Sequence, residues 1–325
     1  MEFKEQGIIT KVTGGLYTIE LGSQRQTPLS GQTVCCRARG SFRHAKMSPL
    51  VGDRVEVRYT EHSFSDDGDK ITVSPEWADI MIGAIGERKN ALIRPPMANL
   101  ELMFVTLASA SPEPSLLVTD KLLAIAEYNG IEPIIVVGKG ELSENVSAKI
   151  KEIYEKAGYP VYVLSCKTGE GVDAFSAAVH EKLKGKIAAF AGASGVGKST
   201  LMNTLFPGLK LGTGDVSRKT ERGKQTTRTV ELFSAEGGYI ADTPGFSMLD
   251  FERFDFFSKE DLPETFREFR ESLGECKYKK CTHLCEDGCA IVERVRRGEI
   301  AESRHESYRE LYSVLKNKHD WDNKQ

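Results

Sequence analysis

The sequence predicts an α/β protein in three parts: an N-terminal β-barrel, a central domain with a doubly wound, mainly parallel sheet, and a C-terminal helical segment around a cysteine cluster. Three observations support this prediction. Short apolar runs and turn residues fill positions 1–75, strand and helix patterns alternate from residue 100, and four of the seven cysteines lie between Cys276 and Cys289. We expect domains at 1–75, at 76–250 with a connector over 76–99, and at 251–325.

Length and charge limit the classes of protein that fit. The chain has 325 residues, 40% of them hydrophobic, and a net charge of −3. It can bury the core of two or three domains, and it lacks the general basic character of a nucleic-acid coat. Its start, MEFKEQGIITKV, lacks the features of a secretory signal, and no window reaches the ~20 apolar residues that span a bilayer. We therefore expect a cytoplasmic protein without membrane association, and a monomer.

The predicted barrel rests on alternating hydrophobicity. Its runs are GIITKV, GGLYTIEL, QTVCCRARG, LVGDRVEVRY and DKITVS. Five short strands favour an OB-type barrel, whose common use is to hold nucleic acid, with a packing domain as the alternative. Between Leu21 and Gly52 the basic residues are Arg25, Arg37, Arg39, Arg43 and Lys46, and there is no acidic residue. Together with Phe42 this stretch either grips phosphates and stacks a base or is a solvated loop.

Strand and helix patterns alternate in the central part. The strands are LELMFVTLA, EPIIVVG, PVYVLSC and KIAAFAG, and the helices are DKLLAIAEYNG, SAKIKEIYEKAG, DAFSAAVHEKL and GKSTLMNTLF. This order predicts a parallel sheet with helices on both faces. The Pro-Pro pair in ERKNALIRPPMAN predicts an extended connector before it. Two charged helices, FSKEDLPETFREFRESL and AESRHESYRELYSVLKNK, are expected around the cysteine cluster.

A phosphate-binding loop follows the strand KIAAFAG and opens the next helix. The residues that match G-x-x-x-x-G-K-[ST] are Gly192, Ala193, Ser194, Gly195, Val196, Gly197, Lys198 and Ser199, followed by Thr200. Glycines let backbone N–H groups converge on phosphate oxygens, Lys198 reaches the β- and γ-phosphates, and the Ser199 hydroxyl binds Mg²⁺. The loop therefore predicts a magnesium–nucleotide site.

Two later segments complete the expected phosphate site. The sequence Asp242-Thr-Pro-Gly245 ends a predicted strand, where the carboxylate can hold magnesium and the glycine N–H can sense the γ-phosphate. Before it, GDVSRKTERGKQTTRTVEL is interpreted as a switch loop, with a solvated linker as the alternative. The threonine pair that ends at Thr227 offers the second magnesium hydroxyl.

The position after Gly245 is unusual for a nucleotide hydrolase. Phe246 lies where a Ras-like enzyme places the glutamine that orients the attacking water. A phenyl ring cannot orient water, so we take Gln225 in the switch loop as the candidate for that role.

The cysteine cluster predicts a structural metal site. The spacing Cys-x4-Cys-x-His-x5-Cys provides three thiolates and one imidazole for tetrahedral Zn²⁺ from Cys276, Cys281, His283 and Cys289. Because Cys285 lies in the same loop, the spacing alone does not decide the identity of one cysteine ligand. A closed site has no position for water, so we expect it to support folding, not catalysis. Lys277, Lys279 and Lys280 either contact RNA or are solvated.

These motifs resemble the bacterial ribosome small subunit-dependent GTPase family (RsgA, also YjeQ or YloQ), essentially end to end. The matching stretches are SPLVGDRVEV, ERKNALIRPP, GASGVGKST, TTRTVEL, DTPGF and the Cys/His knuckle. In that family the base-recognition motifs precede the P-loop, which is a circular permutation. VVGKGEL takes the place of the family's Asn-Lys-x-Asp motif, and Ser165-Cys166-Lys167 takes the place of its Ser-Ala-Lys motif. The base-binding residues implied are Gly138, Lys139, Glu141, Ser165, Cys166 and Lys167.

The resemblance implies an OB barrel, a permuted GTPase domain and a zinc-binding helical domain. It implies an enzyme that hydrolyses Mg-GTP to GDP and phosphate in late maturation of the small ribosomal subunit, binds rRNA and uses hydrolysis for release. The family pattern favours one structural Zn²⁺ on the three other cysteines and His283, without Cys285. The catalytic residues expected are Lys198, Thr227, Gln225 and Gly245.

Two departures from the family pattern suggest a diverged paralogue. Gly138 removes the asparagine amide, and Glu141 lengthens the aspartate by one methylene. A lost hydrogen bond to a buried polar group costs about 1–3 kcal/mol, which would lower guanine affinity or selectivity about ten- to a hundredfold. Gln225 replaces a family histidine and cannot titrate near pH 7. Two alternatives stay open: a P-loop kinase or general NTPase with relaxed base specificity, and an RNA-binding placeholder with little hydrolysis.

Overall fold

The computed structural model describes most of the chain in two compact units. The described residues are 2–23, 27–38, 42, 48–61, 64–66, 71–73, 80–93, 95–209, 230–242 and 257–316. The first unit consists of Met1–Leu100, Gly185–Ile187 and Lys224–Gly245, and the second of Glu101–Lys184, Ala188–Gly223 and Phe246–Gln325. The division into three domains at residues 75 and 250 stays a prediction.

A closed five-stranded barrel forms most of the described part of the first unit. The strands are β1 (Glu2–Thr13), β2 (Leu16–Leu21), β3 (Thr33–Ala38), β4 (Arg54–Thr60) and, after a hairpin of β5 (Phe64–Asp66) and β6 (Ile71–Val73), β7 (Met81–Ile85). They pair in the ring order β1-β2-β3-β7-β4-β1, and only the β3–β7 pair is parallel. Ring closure pairs each strand on both sides, which confirms the predicted OB-type barrel.

The barrel interior is filled by the alternate, inward-facing residues of its strands. The central members of this core are Ile9, Ile19, Val34, Val55, Val57, Tyr59 and Ile82. The sequence interpretation placed the fifth strand at DKITVS, but Ile71–Val73 pairs with Phe64–Asp66 in the separate hairpin. The closing strand β7 carries Gly83 at its centre, so it shows little of the alternating apolar pattern. Phe42, expected to stack a base, is half-buried and packs against this core.

A short hairpin in the connector is fixed to the barrel by a buried ion pair. Its strands are β8 (Ala91–Leu92) and β9 (Met97–Ala98). The fully buried carboxylate of Asp53 accepts hydrogen bonds from Nε and Nη2 of Arg88, each at 2.7 Å, and from the backbone N–H of Leu50 at 2.7 Å. Gly52 has a φ of +88°, and a Cβ there would lie 2.1 Å from the carbonyl oxygen of Ala98. The SPLVGDRVEV motif therefore holds the connector against the barrel.

We expect Asp53→Ala to lower the free energy of unfolding by about 1–3 kcal/mol, because it leaves the Leu50 N–H and the guanidinium of Arg88 without their acceptor. Denaturant unfolding measures this loss. Glu56→Gln is the control, since its ion pair with Arg58, at 2.9 Å, is partly exposed and worth less than about 1 kcal/mol. Equal losses in the two variants would contradict the structural role of Asp53.

The second unit contains the predicted parallel sheet. Its strands are β10 (Leu100–Ala108), β11 (Glu132–Gly138), β12 (Val161–Val163) and β13 (Ile187–Ala191), in the order β12-β11-β10-β13. The β10–β11 and β11–β12 pairs are parallel. The helices that alternate with them are α1 (Leu116–Tyr128), α2 (Glu144–Lys156), α3 (Val172–Leu183) and α4 (Lys198–Leu205). This alternation agrees with the sequence prediction. The carboxyl ends of the strands therefore face the loops that carry the expected site.

One hairpin from later in the chain belongs to the first unit. It consists of β14 (Glu231–Ala235) and β15 (Gly238–Asp242), and β14 pairs antiparallel with β1. The ammonium of Lys11 lies 2.8 Å from the carboxylate of Glu231 across this pair. The strand that ends at Asp242 is thus present as predicted.

The C-terminal helices of the second unit pack against its helix α1 through a buried arginine. They are α5 (Arg267–Arg270), α6 (Ala290–Arg296) and α7 (Glu302–Lys316). The first charged segment, expected to be one helix, instead forms a 3-10 turn at Leu262–Thr265 and the short α5. The fully buried Arg304 of α7 lies 2.6 Å from Asp120 of α1 and 2.7 Å from Glu268 of α5. In the described ranges, no helix is both long and apolar enough to cross a membrane.

Candidate functional site

The loop between β13 and α4 has the shape of a phosphate cradle. Gly192, Gly195 and Gly197 have φ values of +147°, +78° and +101°, which L side chains rarely adopt. The ammonium of Lys198 lies inside the loop and donates to the carbonyl oxygens of Gly192 at 3.0 Å and Ala193 at 2.7 Å. The N-terminal amides of α4 begin at the same point, so backbone dipoles and lysine converge where phosphate oxygens would bind.

We expect Gly192→Ala to weaken nucleotide binding at least about tenfold, because a Cβ there would lie 2.0 Å from the carbonyl oxygen of Thr106 and force the loop to move. Titration with a fluorescent guanine nucleotide measures the affinity. Gly208→Ala is the control, since a Cβ at Gly208 meets no atom within 4 Å. Unchanged affinity in Gly192→Ala would contradict a rigid cradle.

The loop after β11 is held against the phosphate loop by a lysine. Nζ of Lys139 donates to the carbonyl oxygen of Gly195 at 2.9 Å and to that of Ser111. The hydroxyl of Ser109 donates to the carbonyl oxygen of Lys139 at 2.6 Å. Ser109 and Ser111 were missed in the sequence interpretation. Their place directly after β10 is the signal that could have found them, because ligands of α/β sheets bind outside the carboxyl ends of the strands.

A carboxylate and a serine form the next part of the site. The Ser165 hydroxyl donates to the Glu141 carboxylate and, with the backbone amide of Glu141 and the ammonium groups of Lys167 and Lys139, lowers its pKa against the opposing effect of burial. Ser165 Oγ in turn accepts from the Thr168 N–H at 3.1 Å. Oε2 of Glu141 is buried and has no hydrogen-bond partner among the described residues. The surroundings of this carboxylate therefore favour its charged form, and Oε2 is enclosed by protein.

The remaining predicted nucleotide-binding residues range from buried to exposed. Burial raises the pKa of the half-buried Cys166, whose thiol also contacts the Thr204 hydroxyl. A Cβ at Gly138 would have ordinary contacts, the nearest at 3.5 Å from the carbonyl oxygen of Val196. The exposed members are Ser194, Ser199, Thr200 and Lys167. Outside the described residues lie Thr227, Gln225, Gly245, Phe246, the side chain of Asp242, and Arg25, Arg39, Arg43 and Lys46 of the basic stretch.

The cysteine cluster brings together four side chains that can hold a metal ion. The ligand atoms of Cys276, Cys281, His283 and Cys289 all lie within 4.8 Å of one another. Sγ of Cys276 is 3.9 Å from Sγ of Cys289 and 3.5 Å from Nδ1 of His283. Zinc–ligand bonds of about 2.3 Å to sulfur and about 2.0 Å to nitrogen place ligand atoms about 3.5–3.8 Å apart in a tetrahedron. Cys285 is exposed and outside the cluster, which agrees with the ligand set favoured by the resemblance.

The surrounding residues hold the cluster in place. Despite burial, hydrogen bonds from Thr282 and from the backbone of Glu286 and Cys285 lower the pKa of Glu286 to about 2. Nε2 of His305 donates to the carbonyl oxygen of His283 at 2.7 Å. Burial also lowers the pKa of His283, which favours the neutral imidazole that a metal requires. The metal-binding loop from Cys276 to Cys289, called the knuckle below, is thus held by several hydrogen bonds around its ligands.

The lysines of the knuckle are on its surface. Lys277, Lys279 and Lys280 are exposed, and Nζ of Lys277 lies 3.3 Å from a carboxylate oxygen of Asp287. Exposed lysines fit both alternatives, so their contact with RNA stays a prediction.

Comparisons with known protein families and curated sequences agree with this site. The profile described as RsgA GTPase matches residues 85–252, and the profile described as RsgA N-terminal domain matches residues 6–64. A relative from Geobacillus kaustophilus, named small ribosomal subunit biogenesis GTPase RsgA, is 38% identical over 317 residues, 96% of this chain and 97% of its own. A relative of the same name from Thermotoga petrophila is 36% identical over 320 residues, 97% of this chain and 98% of its own.

Solved structures are similar as well. YjeQ from Thermotoga maritima superposes with a TM-score of 0.76 at 32% identity and covers 98% of this chain and 100% of its own. YloQ, described as a circularly permuted GTPase, superposes with a TM-score of 0.72 at 32% identity, covering 98% of this chain and 96% of its own. The likeness thus extends over both compact units.

Proposed function

This chain belongs to the RsgA family of circularly permuted GTPases, and from this premise we propose that it acts as a GTPase in late maturation of the small ribosomal subunit. It hydrolyses GTP to GDP and phosphate. Binding to the subunit depends on the nucleotide state, and hydrolysis leads to release.

One observation carries this proposal: the contact between Lys139 and Gly195 at 2.9 Å. In sequence the GKGE motif, residues 138–141, lies more than fifty residues before the phosphate loop. In the fold its lysine binds the backbone of that loop, so base-recognition and phosphate-binding segments form one site in permuted order. A P-loop without an adjacent base motif would not support a GTPase in particular.

The phosphate and magnesium chemistry is assigned to residues of the phosphate loop, of the switch loop and of the Asp242-Thr-Pro-Gly245 segment. Lys198 neutralises the β- and γ-phosphates, and Ser199 supplies a magnesium ligand. Thr227 and Asp242 would complete the set of magnesium ligands, and the Gly245 N–H would donate to the γ-phosphate. Gln225 orients the attacking water.

The base is held by the loops after β11 and β12. Lys139 packs along the nucleotide, Glu141 accepts from the base, and Ser165 positions that carboxylate. Cys166 and Lys167 belong to the same pocket, by their place in the family's second base motif. Magnesium supplies charge neutralisation to the bound triphosphate.

Zinc at the Cys3His cluster has a structural role in this proposal. The ligand distances support it, because Sγ of Cys276, Sγ of Cys289 and Nδ1 of His283 lie 3.5, 3.6 and 3.9 Å apart, and all four ligand atoms lie within 4.8 Å of one another. The barrel and the zinc knuckle are the segments that contact rRNA. The protein is cytoplasmic and acts as a monomer.

The alternatives are less well supported. The curated relatives that match over nearly the full chain are named as biogenesis GTPases. This favours a GTPase over a kinase, a general NTPase with relaxed specificity, or a placeholder without turnover.

The experiment that tests the function is steady-state hydrolysis of GTP and of ATP, each with and without purified small ribosomal subunits. We expect turnover confined to GTP and increased by the subunits. Equal, unstimulated rates with both nucleotides would contradict the proposal.

A further inference from the structure

The hairpin of β14 and β15 follows Thr227 of the expected switch loop and ends at Asp242. We propose that Lys11 of the barrel is a positioning residue for the magnesium chemistry, because through Glu231 it holds the end of the strand that carries Asp242. This inference rests on the proposed GTPase function, in which Asp242 is a magnesium ligand. It gives the barrel a part in the nucleotide site that the sequence motifs do not indicate.

The two ends of this hairpin are held by different contacts. At the open end of the hairpin, Glu231 of β14 is paired with Asp242 of β15. At the turn end, the Gly185 N–H donates to the carbonyl oxygen of Gly237 at 2.8 Å. The turn is therefore fixed to the residues that precede β13, whereas Asp242 is at the opposite end of the hairpin.

The barrel provides the attachment at the open end. The edge of β1 pairs with β4 from Glu2 to Ile8 and then with β14, where Lys11 is opposite Glu231. The ammonium of Lys11 lies 2.8 Å from Oε2 of Glu231. Because neighbouring strands lie about 4.8 Å apart, the backbone of Lys11 is about 10 Å from that of Asp242, two strands away. Lys11, Glu231 and Asp242 thus form one row of backbone positions across three strands.

An irregularity in β1 lies directly before Lys11. In the pairing of β1 with β2, Ile9 is opposite Ile19 and Lys11 is opposite Thr18, so Thr10 is the extra residue of a β-bulge. A bulge bends its strand and re-aims the side chains next to it, and bulges are common at barrel rims and beside active sites. At the same point the neighbour of β1 changes from β4 to β14. The bulge therefore allows one strand to belong to the barrel and to contact the hairpin.

The exposure of the ion pair limits the size of its effect. The side chains of Lys11 and Glu231 are 38% and 37% exposed. Ion pairs that are exposed to this extent change an equilibrium constant by about two- to fivefold. We therefore expect a graded effect on Mg²⁺ affinity and no loss of nucleotide binding.

The sign of the effect separates positioning from a simple effect of charge. Lys11 is a cation, and removing a cation near a magnesium site would by Coulomb attraction alone tighten Mg²⁺ binding. If Lys11 acts through Glu231, its removal instead loosens the strand end that carries Asp242, whose carboxylate is the type of ligand that Mg²⁺ prefers. Mg²⁺ binding then weakens. The two explanations therefore predict opposite changes.

The test is the Mg²⁺ dependence of binding of a non-hydrolysable GTP analogue to the intact chain. Lys11→Met removes the charge and keeps the length of the side chain. We expect the Mg²⁺ concentration at half-maximal binding to rise about two- to fivefold, while GDP binding without magnesium is unchanged. Lys11→Arg keeps the ion pair and should have the midpoint of the unaltered protein. A midpoint that is unchanged or lower in Lys11→Met, or raised equally in Lys11→Arg, would overturn the proposal.

Lys182→Met is the matched control. Lys182 of α3 lies 2.6 Å from Glu132 of β11, and the two side chains are 36% and 39% exposed, nearly as in the pair of Lys11 and Glu231. Its Mg²⁺ midpoint should equal that of the unaltered protein. A rise as large as in Lys11→Met would contradict the proposal, because it would mean that loss of any such surface ion pair has this effect.

Hydrogen exchange provides a second measurement that does not depend on activity. In both Lys11→Met and Glu231→Gln, amide exchange should become faster at the open end of the hairpin, residues 231–232 and 241–242, and stay unchanged around Gly237. Exchange reports how firmly the strand is held, whichever charge has been removed. If Lys11→Met does not fold, exchange in Glu231→Gln decides, and unaltered exchange at the open end would overturn the proposal.

The proposed function and this inference fail in different ways. Loss of the function shows as absent GTP turnover of the unaltered protein with and without ribosomal subunits. Loss of the inference shows as an unchanged or lower Mg²⁺ midpoint in Lys11→Met when the unaltered protein hydrolyses GTP and responds to the subunit.

Discussion

Lys198→Ala is expected to lower kcat for GTP by a factor of about 100 to 1,000, the range found when one preorganised donor to a transition-state charge is removed. Nζ of Lys198 lies within the phosphate loop, 3.0 and 2.7 Å from two of its carbonyl oxygens. From that position its charge would reach the oxygens between the β- and γ-phosphates of a bound nucleotide, where negative charge develops during hydrolysis. Single-turnover phosphate release with magnesium measures the chemical step apart from product release.

The control for Lys198→Ala is Lys151→Ala on helix α2. Lys151 is exposed and its ion pair with Glu155, at 3.8 Å, is a surface i,i+4 pair of little energetic weight. Its turnover should match that of the unaltered protein. Full single-turnover rates in Lys198→Ala would remove the phosphate loop from the catalytic site and with it the assignment of this chain as a P-loop enzyme.

Cys289→Ser is expected to abolish zinc binding and to destabilise the C-terminal helices by several kcal/mol. Structural zinc contributes about 10–16 kcal/mol of apparent binding free energy in zinc-finger peptides, and this energy supports folding. Here the knuckle also packs on α7, because Tyr308 donates to the Thr282 carbonyl oxygen at 2.8 Å. Metal analysis and thermal unfolding, each with and without a chelator, measure the two effects.

Cys285→Ser is the matched control, since it removes a thiol from the same loop. Cys285 is exposed, whereas Cys289 is 1% exposed and within the ligand group. The control should keep its zinc and its unfolding temperature. If both variants kept zinc, or both lost it, the ligand set of three cysteines and His283 would be wrong.

The sites whose chemistry lies in short spacing were predictable from the sequence. The phosphate loop needs glycines, a lysine and a hydroxyl within eight positions, and the structure places them between β13 and α4 as expected. The knuckle ligands likewise lie within fourteen residues, from Cys276 to Cys289. Local periodicity was sufficient for the strands of the parallel sheet and the helices that alternate with them, because the strands are continuous apolar runs.

Other features depended on contacts that no local pattern records. The barrel closes with β7, and the apolar triplet Ile71–Val73 lies in another hairpin. Ser109 and Ser111 enter the site only because β10 lies next to β11. Phe42 is half-buried against the barrel core, although its position in a basic stretch suggested a base-stacking role.

By itself, the sequence therefore determined the chemistry of this protein: a P-loop, a permuted base motif and a Cys3His metal site, each defined by residue type and spacing over a few positions. Only the tertiary structure decided which of these groups meet. Lys139 contacts Gly195, the Ser109 hydroxyl donates to the carbonyl oxygen of Lys139, and Cys285 lies outside the metal cluster. The physical reason is that hydrogen bonds and burial act over a few ångströms in space, and chain folding brings together residues that are far apart in sequence.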